Sequence, residues 1–226
     1  IILVLLCVNV SVYAYLLAAT EVSYTKSNGT TISVKSALDE LNEKMQNKIG
    51  EEVTVGGEQF YVLEWDNNCD TVNLISKYNL NQAGTAQQNA AYRTTACTFS
   101  STNYWSSSFT SSPFNLNDFI GYTATDAIGK AKSYGRNKGA VSSRLLSYEE
   151  ANALKSKASS NTKIDTMFLG KANSANGCLY YWLGSANGIN YVWSVFGNGG
   201  VRGNGFGSSG SCGVRPVITI LKSKIS

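Results

Sequence analysis

The sequence predicts an α+β protein: an N-terminal hydrophobic helix followed by a body with two helices and a small antiparallel sheet. Three observations predict it. Strand-like runs crowd residues 53–76, two helical patterns follow at 125–134 and 147–157, and apolar strands return after residue 180. Strands, then helices, then strands is segregated order, not the alternation of a parallel α/β fold. At 226 residues the chain has room for one mid-sized domain and an anchor.

Residues 1–19, IILVLLCVNVSVYAYLLAA, carry no charge. As a helix they would run about 28 Å at ~1.5 Å per residue, close to the ~30 Å hydrocarbon core of a bilayer. Three readings fit: a secretory signal, with Val12-Tyr13-Ala14 a poor cleavage site, a membrane anchor, or a helix buried in a filament core. The anchor is the reading adopted, with residues 1–20 as a transmembrane or filament-core helix and 21–50 as a stalk. In the stalk Val34, Ala37, Leu38, Leu41 and Met45 recur at helical spacing behind Ser33, a cap residue.

Residues 51–226 form the expected ligand-binding domain. Val53-Thr54-Val55, Gly56-Gly57 and the run from Glu58 to Trp65 read as a hairpin with a two-residue glycine turn. Thr71 to Ser76 is a third strand. Residues 80–118 are rich in Asn, Gln, Ser and Thr and predict a long irregular region, a length that points to function. Ser147 and Glu150 have the spacing of a capping box at the start of the second helix. Met167-Phe168-Leu169 reads as a short buried strand. Trp65, Trp105, Trp182 and Trp193 are expected in the core.

Composition removes several functions. There is no histidine, and so no imidazole base, metal ligand or pH switch. The net charge of +4 comes from dispersed cations without a basic run, which gives nucleic-acid binding little support. No phosphate loop is present. The five cysteines include no C-x-x-C pair. Beyond Cys7, neighbour pairing would join Cys69 to Cys97 and Cys178 to Cys212; four cysteines allow three connectivities, and buried free thiols stand equally open. No cofactor and no metal site are expected.

Residues 180–221 are unusual. Ten of the 21 glycines fall between 184 and 213, framed by Tyr181-Trp182-Leu183, Tyr191-Val192-Trp193-Ser194-Val195-Phe196 and Val217-Ile218-Thr219-Ile220-Leu221. Along the middle strand Trp193 and Val195 share one face, and Val192, Ser194 and Phe196 the other. Tyr191 and Phe206 sit among Gly and Asn, the mixture of rigid aromatic and adaptable polar groups found in paratopes.

The series Tyr181-Trp182-Leu183-x-Ser185-Ala186, Val192-Trp193-x-Val195, Gly200-x-Arg202 and Gly213-Val214-Arg215-Pro216-Val217 resembles the end of a C-type-lectin-fold domain. The versions it is similar to are formylglycine-generating-enzyme-like domains and the variable proteins of diversity-generating retroelements. The run from Asn103 to Ser108 resembles a related bacterial version. The stalk, "ATEVSYT…SVKSALDEL", resembles that of membrane-anchored or pilin-like surface proteins, although pilins open on Phe or Met with a glutamate shortly after, where this chain has Ile1 and Leu5.

In the diversified family a reverse transcriptase rewrites adenines near the 3′ end of the gene, mostly in Asn codons, while scaffold residues stay fixed. The resemblance therefore implies a fixed set, Trp182, Trp193, Val195, Val201 and Val214, and a ligand-facing set. The latter comprises Gly184, Asn190, Tyr191, Ser194, Phe196, Asn198, Gly203, Asn204, Phe206, Ser208 and Ser209. Arg202 joins them as the only charge between Lys171 and Arg215. Arg215 is expected to be a structural fork on carbonyls or a carboxylate.

Residues 171–214 contain no Asp or Glu, against a calcium-dependent lectin site. Without histidine, and with Cys178 and Cys212 lacking activating charge beyond arginine, enzymatic formylglycine generation has no catalytic group to assign. The expected function is a surface-displayed adhesin or receptor, not an enzyme, on the extracellular face of a bacterial cell. Its ligand would be a protein or glycan on another cell or phage, and residues 1–19 would contact membrane or fellow subunits. The alternatives are a type IV pilin-like filament subunit, with the homo-oligomerisation that implies, and a divergent formylglycine-generating-type enzyme.

Overall fold

The computed structural model describes residues 23–46, 48–81, 83–86, 97–169, 180–207 and 212–226. These fall into two compact units, divided between Asn47 and Lys48. Among the described residues no helix is long and apolar enough to cross a membrane. The expected anchor at 1–20 lies outside them.

The first unit is a hairpin, β1 (Ser23–Thr25) and β2 (Thr31–Ser33), running into helix α1 (Val34–Gln46). Gly29 at the turn has φ +84°, open to glycine without strain. Ser33 Oγ accepts from Ser36 N at 3.0 Å, the expected cap. Lys35 and Asp39 pair at 2.6 Å one turn apart on the exposed face.

The second unit contains two antiparallel sheets. The larger has the order β3-β4-β5-β11-β7: β3 (Glu52–Val55), β4 (Glu58–Trp65), β5 (Thr71–Ser76), β7 (Ser142–Leu145) and β11 (Pro216–Leu221). The smaller has the order β10-β9-β8-β6: β6 (Phe114–Asn115), β8 (Tyr180–Gly188), β9 (Tyr191–Phe196) and β10 (Val201–Gly205). Helices α2 (Ala127–Asn137), α3 (Tyr148–Ala158) and α4 (Thr162–Leu169) complete it. The stalk helix forms as α1, while among the described residues of the body the expectation of two helices and one small sheet is corrected to three helices and two sheets.

The β3–β4 hairpin forms as its glycines require, with Gly56 and Gly57 at φ +53° and +76°, both in the left-handed region of a primed turn. The capping box at α3 is complete: Glu150 N donates to Ser147 Oγ at 3.2 Å and Ser147 N to Glu150 Oε2 at 2.9 Å. The expected strand at Met167-Phe168-Leu169 is instead the end of α4. Asn161 Oδ1 accepts from Lys163 N and Ile164 N, starting a helix whose Ile164, Met167 and Phe168 fall on one buried stripe.

The smaller sheet lies between two apolar cores. From β8, Trp182 and Ala186 enter one core with Trp105, Phe99 and α2, while Tyr181 and Leu183 enter the other with α3 and α4. The irregular segment after residue 97 fills the first core. Trp105 is fully buried and its indole donates to Gly188 O at 3.0 Å, and the Trp182 indole donates to Cys97 O at 2.8 Å.

Arg215 is fully buried. Its Nε donates to Ser76 O at 2.7 Å and its guanidinium lies 5.1 Å from the Tyr181 ring, so the expected fork engages carbonyls and an aromatic face. Burial pushes the Tyr181 phenol up to about 12 despite that nearby cation, and its hydroxyl donates to Phe168 O at 2.9 Å.

Of the two candidate pairings, Cys69–Cys97 does not form, and both of these residues carry free thiols, the alternative that the sequence left open. Cys69 sits in the exposed turn after β4 with Sγ donating to Asp66 Oδ2 at 3.1 Å. Cys97 is elsewhere, opposite Cys212 in an antiparallel bridge, with its N donating to Cys212 O at 2.9 Å. Cys178 lies outside the described residues.

Candidate functional site

Both faces of β9 are covered. Val192 packs into the first core and Val195 into the second, while Tyr148 of α3 meets the Trp193 ring at 4.3 Å. The Trp193 Nε1 donor is buried without a hydrogen-bond partner. Exposure is therefore confined to the two ends of β9 and to the outer strand β10.

At the first end stands the β8–β9 turn. Ile189 is 50% and Tyr191 54% exposed, two of the most exposed large apolar groups among the described residues. Asn190 between them is exposed, its Oδ1 accepting from Asn103 Nδ2 at 3.1 Å. The segment before β6 thus braces the turn from below. At the opposite end Asn198 is exposed and its Oδ1 accepts from Gly200 N at 3.0 Å, shaping the β9–β10 turn. Arg202 is exposed with its guanidinium 5.6 Å from the Phe196 ring, and Phe196 meets Tyr180 edge-on at 4.4 Å.

The other members of the ligand-facing set lie inside. Gly184 is buried, and a Cβ there would stand 2.1 Å from Asn117 Nδ2, whose amide holds both Leu145 N and Leu145 O. Ser194 is fully buried and donates to Arg202 O at 3.2 Å. Asn204, half-buried, donates to Ser194 Oγ and to Cys212 Sγ, both at 3.3 Å. Gly203 is half-buried, and a Cβ there would meet Asn187 Nδ2 at 2.2 Å. Phe206, expected among Gly and Asn without apolar company, packs edge-on against Trp105 at 5.4 Å. Ser208 and Ser209 lie outside the described residues. Gly184, Ser194 and Phe206 thus have structural duties, because the sheet is covered on both sides.

Sequence reasoning passed over the surroundings of the α3 N-terminus. Asn115, Asp118, Arg144, Glu149, Glu150 and Ser185 line a polar cavity of about 340 Å³. Arg144 holds Glu150 through two 2.6 Å hydrogen bonds in a fork. Burial opposes ionisation of Glu150 but is outweighed by the hydrogen bonds from Arg144 and Ser147, so its carboxyl lies below the usual range. Asp118 also borders a second hollow of about 380 Å³ with Phe119, Ile120, Tyr122 and Lys132, where Ile120 is 89% exposed. The capping box at 147–150 was the one sequence signal near these hollows. Among the described residues no group of three or more Cys, Asp or Glu is placed to hold a metal ion.

Comparison with protein families, curated proteins and solved structures finds no match to this chain.

Proposed function

We propose that the chain is a surface-displayed, ligand-binding protein of the adhesin or receptor type, whose body has the C-type-lectin fold. It binds and does not catalyse. The observation that carries this reading is the finish of the smaller sheet. Its centre is clamped between two cores, and its ends hold out Ile189, Asn190 and Tyr191 on one side and Asn198 and Arg202 on the other. Rigid aromatic area beside adaptable amides lowers the entropy lost on binding. The ligand is a protein or glycan borne by another cell or a phage, and residues 1–19 supply the anchor. The diversified variant of the reading narrows the changeable positions to those left exposed.

The test uses the full chain on fluorescent particles against a panel of bacterial strains and phages. Adhesion to a subset, weakened at least about tenfold by a Tyr191→Ala, Arg202→Ala double variant, is expected. No adhesion to any, or adhesion unchanged in the variant, would sink the reading. Sequencing the neighbouring DNA tests the diversified variant, which requires a reverse-transcriptase gene and a near-copy of this region differing only at adenines.

A further inference from the structure

The backbone at the rim of the smaller sheet carries an unused hydrogen-bonding pattern. Phe196 N donates to Gly200 O at 2.8 Å and Phe206 N to Asn190 O at 3.2 Å, on either side of the β9–β10 ladder. With Val201 opposite Val195 and Gly205 opposite Tyr191, residues 200, 202, 204 and 206 are the ones that bond inward to β9. The N–H and C=O groups of Val201, Gly203 and Gly205 therefore point away from the sheet. Among the described residues none of these six groups has a hydrogen-bond partner. They repeat every second residue, about 6.6 Å apart, which is the spacing of an incoming strand.

The other rims of the two sheets are closed or too short to matter. On β3, Thr54 and Ser226 exchange hydrogen bonds of 3.2 and 3.0 Å, so the C-terminus covers that edge. On β7, the Asn117 side chain takes both Leu145 N and Leu145 O. β6 is two residues long. Natural sheets guard a bare edge with lysine, proline, a bulge or a cover, and Val201-Arg202-Gly203-Asn204-Gly205 has no lysine, no proline and an unbroken register. Arg202, its one charge, is exposed, and no other charged residue occurs from 172 to 214.

Resting on the ligand-binding reading above, we infer that β10 is a docking edge where an extended peptide segment of a protein ligand adds as a further strand, with a carboxylate of that segment against Arg202. Main-chain hydrogen bonds to Val201, Gly203 and Gly205 supply the attachment, and the Arg202 fork sets charge preference. This selects a protein ligand over a glycan.

The experiment selects a library of random linear decapeptides on the immobilised full chain and resynthesises the selected peptides for titration. The expected peptides alternate β-branched or aromatic residues with polar ones and carry an Asp or Glu. Their binding should slow hydrogen exchange at the amides of Val201, Gly203 and Gly205. Val201→Pro removes one outward donor without touching the β9 ladder and should weaken binding at least about tenfold. Arg202→Gln should weaken acidic peptides by about tenfold. N-methylation of the peptide at alternate amides should abolish binding to the unaltered protein, a result independent of how Val201→Pro folds. Binding that protects other amides and survives N-methylation would overturn the docking edge while leaving the ligand-binding reading in place. So would particle adhesion without any selected peptide. A dimer in sedimentation that protects the β10 amides would give the edge to a second copy of this chain and overturn the proposal; failure of both particle and peptide binding would remove the ligand-binding reading itself.

Discussion

The sheet around β5 and β11 and the sheet around β8 and β9 are built by the same antiparallel pairing but finished in opposite ways. In the first, polar groups are closed off inside. Glu58 is buried, accepts from the Tyr134 hydroxyl at 2.8 Å and from Ala86 N at 2.6 Å, and pairs with Lys138. Burial, with the Glu58 charge and hydrogen bond, pushes the Tyr134 phenol far up, so it stays a neutral donor. In the second sheet the centre is equally dry, yet a rim and two turns are left open. Among the described residues, what separates the closed sheet from the open one is which edges the rest of the chain reaches to cover, not strand chemistry.

The largest effect should come from attacking the dry centre. Trp182→Ala removes a fully buried indole that donates to Cys97 O and meets Phe99 edge-on at 5.7 Å. A loss of about 3–5 kcal/mol in unfolding free energy is expected, read by urea denaturation. A loss under about 1 kcal/mol would mean that the smaller sheet is not packed between two cores.

A smaller effect separates fixed from changeable positions. Gly184→Ala forces a Cβ into the Asn117 amide, which closes the edge of β7. The cost should be about 1–3 kcal/mol in the same titration. A neutral substitution would return Gly184 to the ligand-facing set that the family resemblance implied.

That reversal shows where the sequence was legible. Local chemistry was: Gly56-Gly57 gives a primed turn, Ser147 and Glu150 cap α3, and Thr71 to Ser76 is strand β5. Position relative to distant chain was not. Ser194 and Gly184 read as outward polar or small residues, and what encloses them arrives from Asn204 beside Cys212 and from Asn117. The apolar triplet 167–169 is too short to tell strand from helix, and the deciding Asn161 cap lies six residues upstream of Met167. The bare edge of β10 was hidden for the same reason, since it depends on which strands reach the C-terminus and Asn117.

Between scaffold and rim stands the Arg144–Glu150 fork, whose partners are 29% and 34% exposed, and its effect should be correspondingly modest. Glu150 has a folded pKa held below its ordinary value of 4.5, so the stability it contributes is present above that pH and lost as pH falls through the folded value. Glu150→Gln keeps a side chain able to cap Ser147 and removes only the charge. The wild type should exceed the variant by at most about 1 kcal/mol at pH 6, after allowance for solvent screening. The difference should shrink as pH falls through the folded value of Glu150, below which both carry a neutral side chain. A difference that persists at low pH would assign the effect to packing.

The smallest stability effect should fall at the open turn. Tyr191 is more than half exposed, and its backbone position in the ladder opposite Gly205 does not need the ring. Tyr191→Ala should change unfolding free energy by no more than about 0.5 kcal/mol, as is usual for surface substitutions without a special contact. The same substitution should weaken adhesion, because an aromatic held on a rigid turn offers contact area that costs little ordering entropy. Measuring both quantities on one preparation distinguishes the two finishes directly. If Tyr191→Ala destabilises as Gly184→Ala does, the turn belongs to the scaffold, and the open end of this sheet lies only along β10.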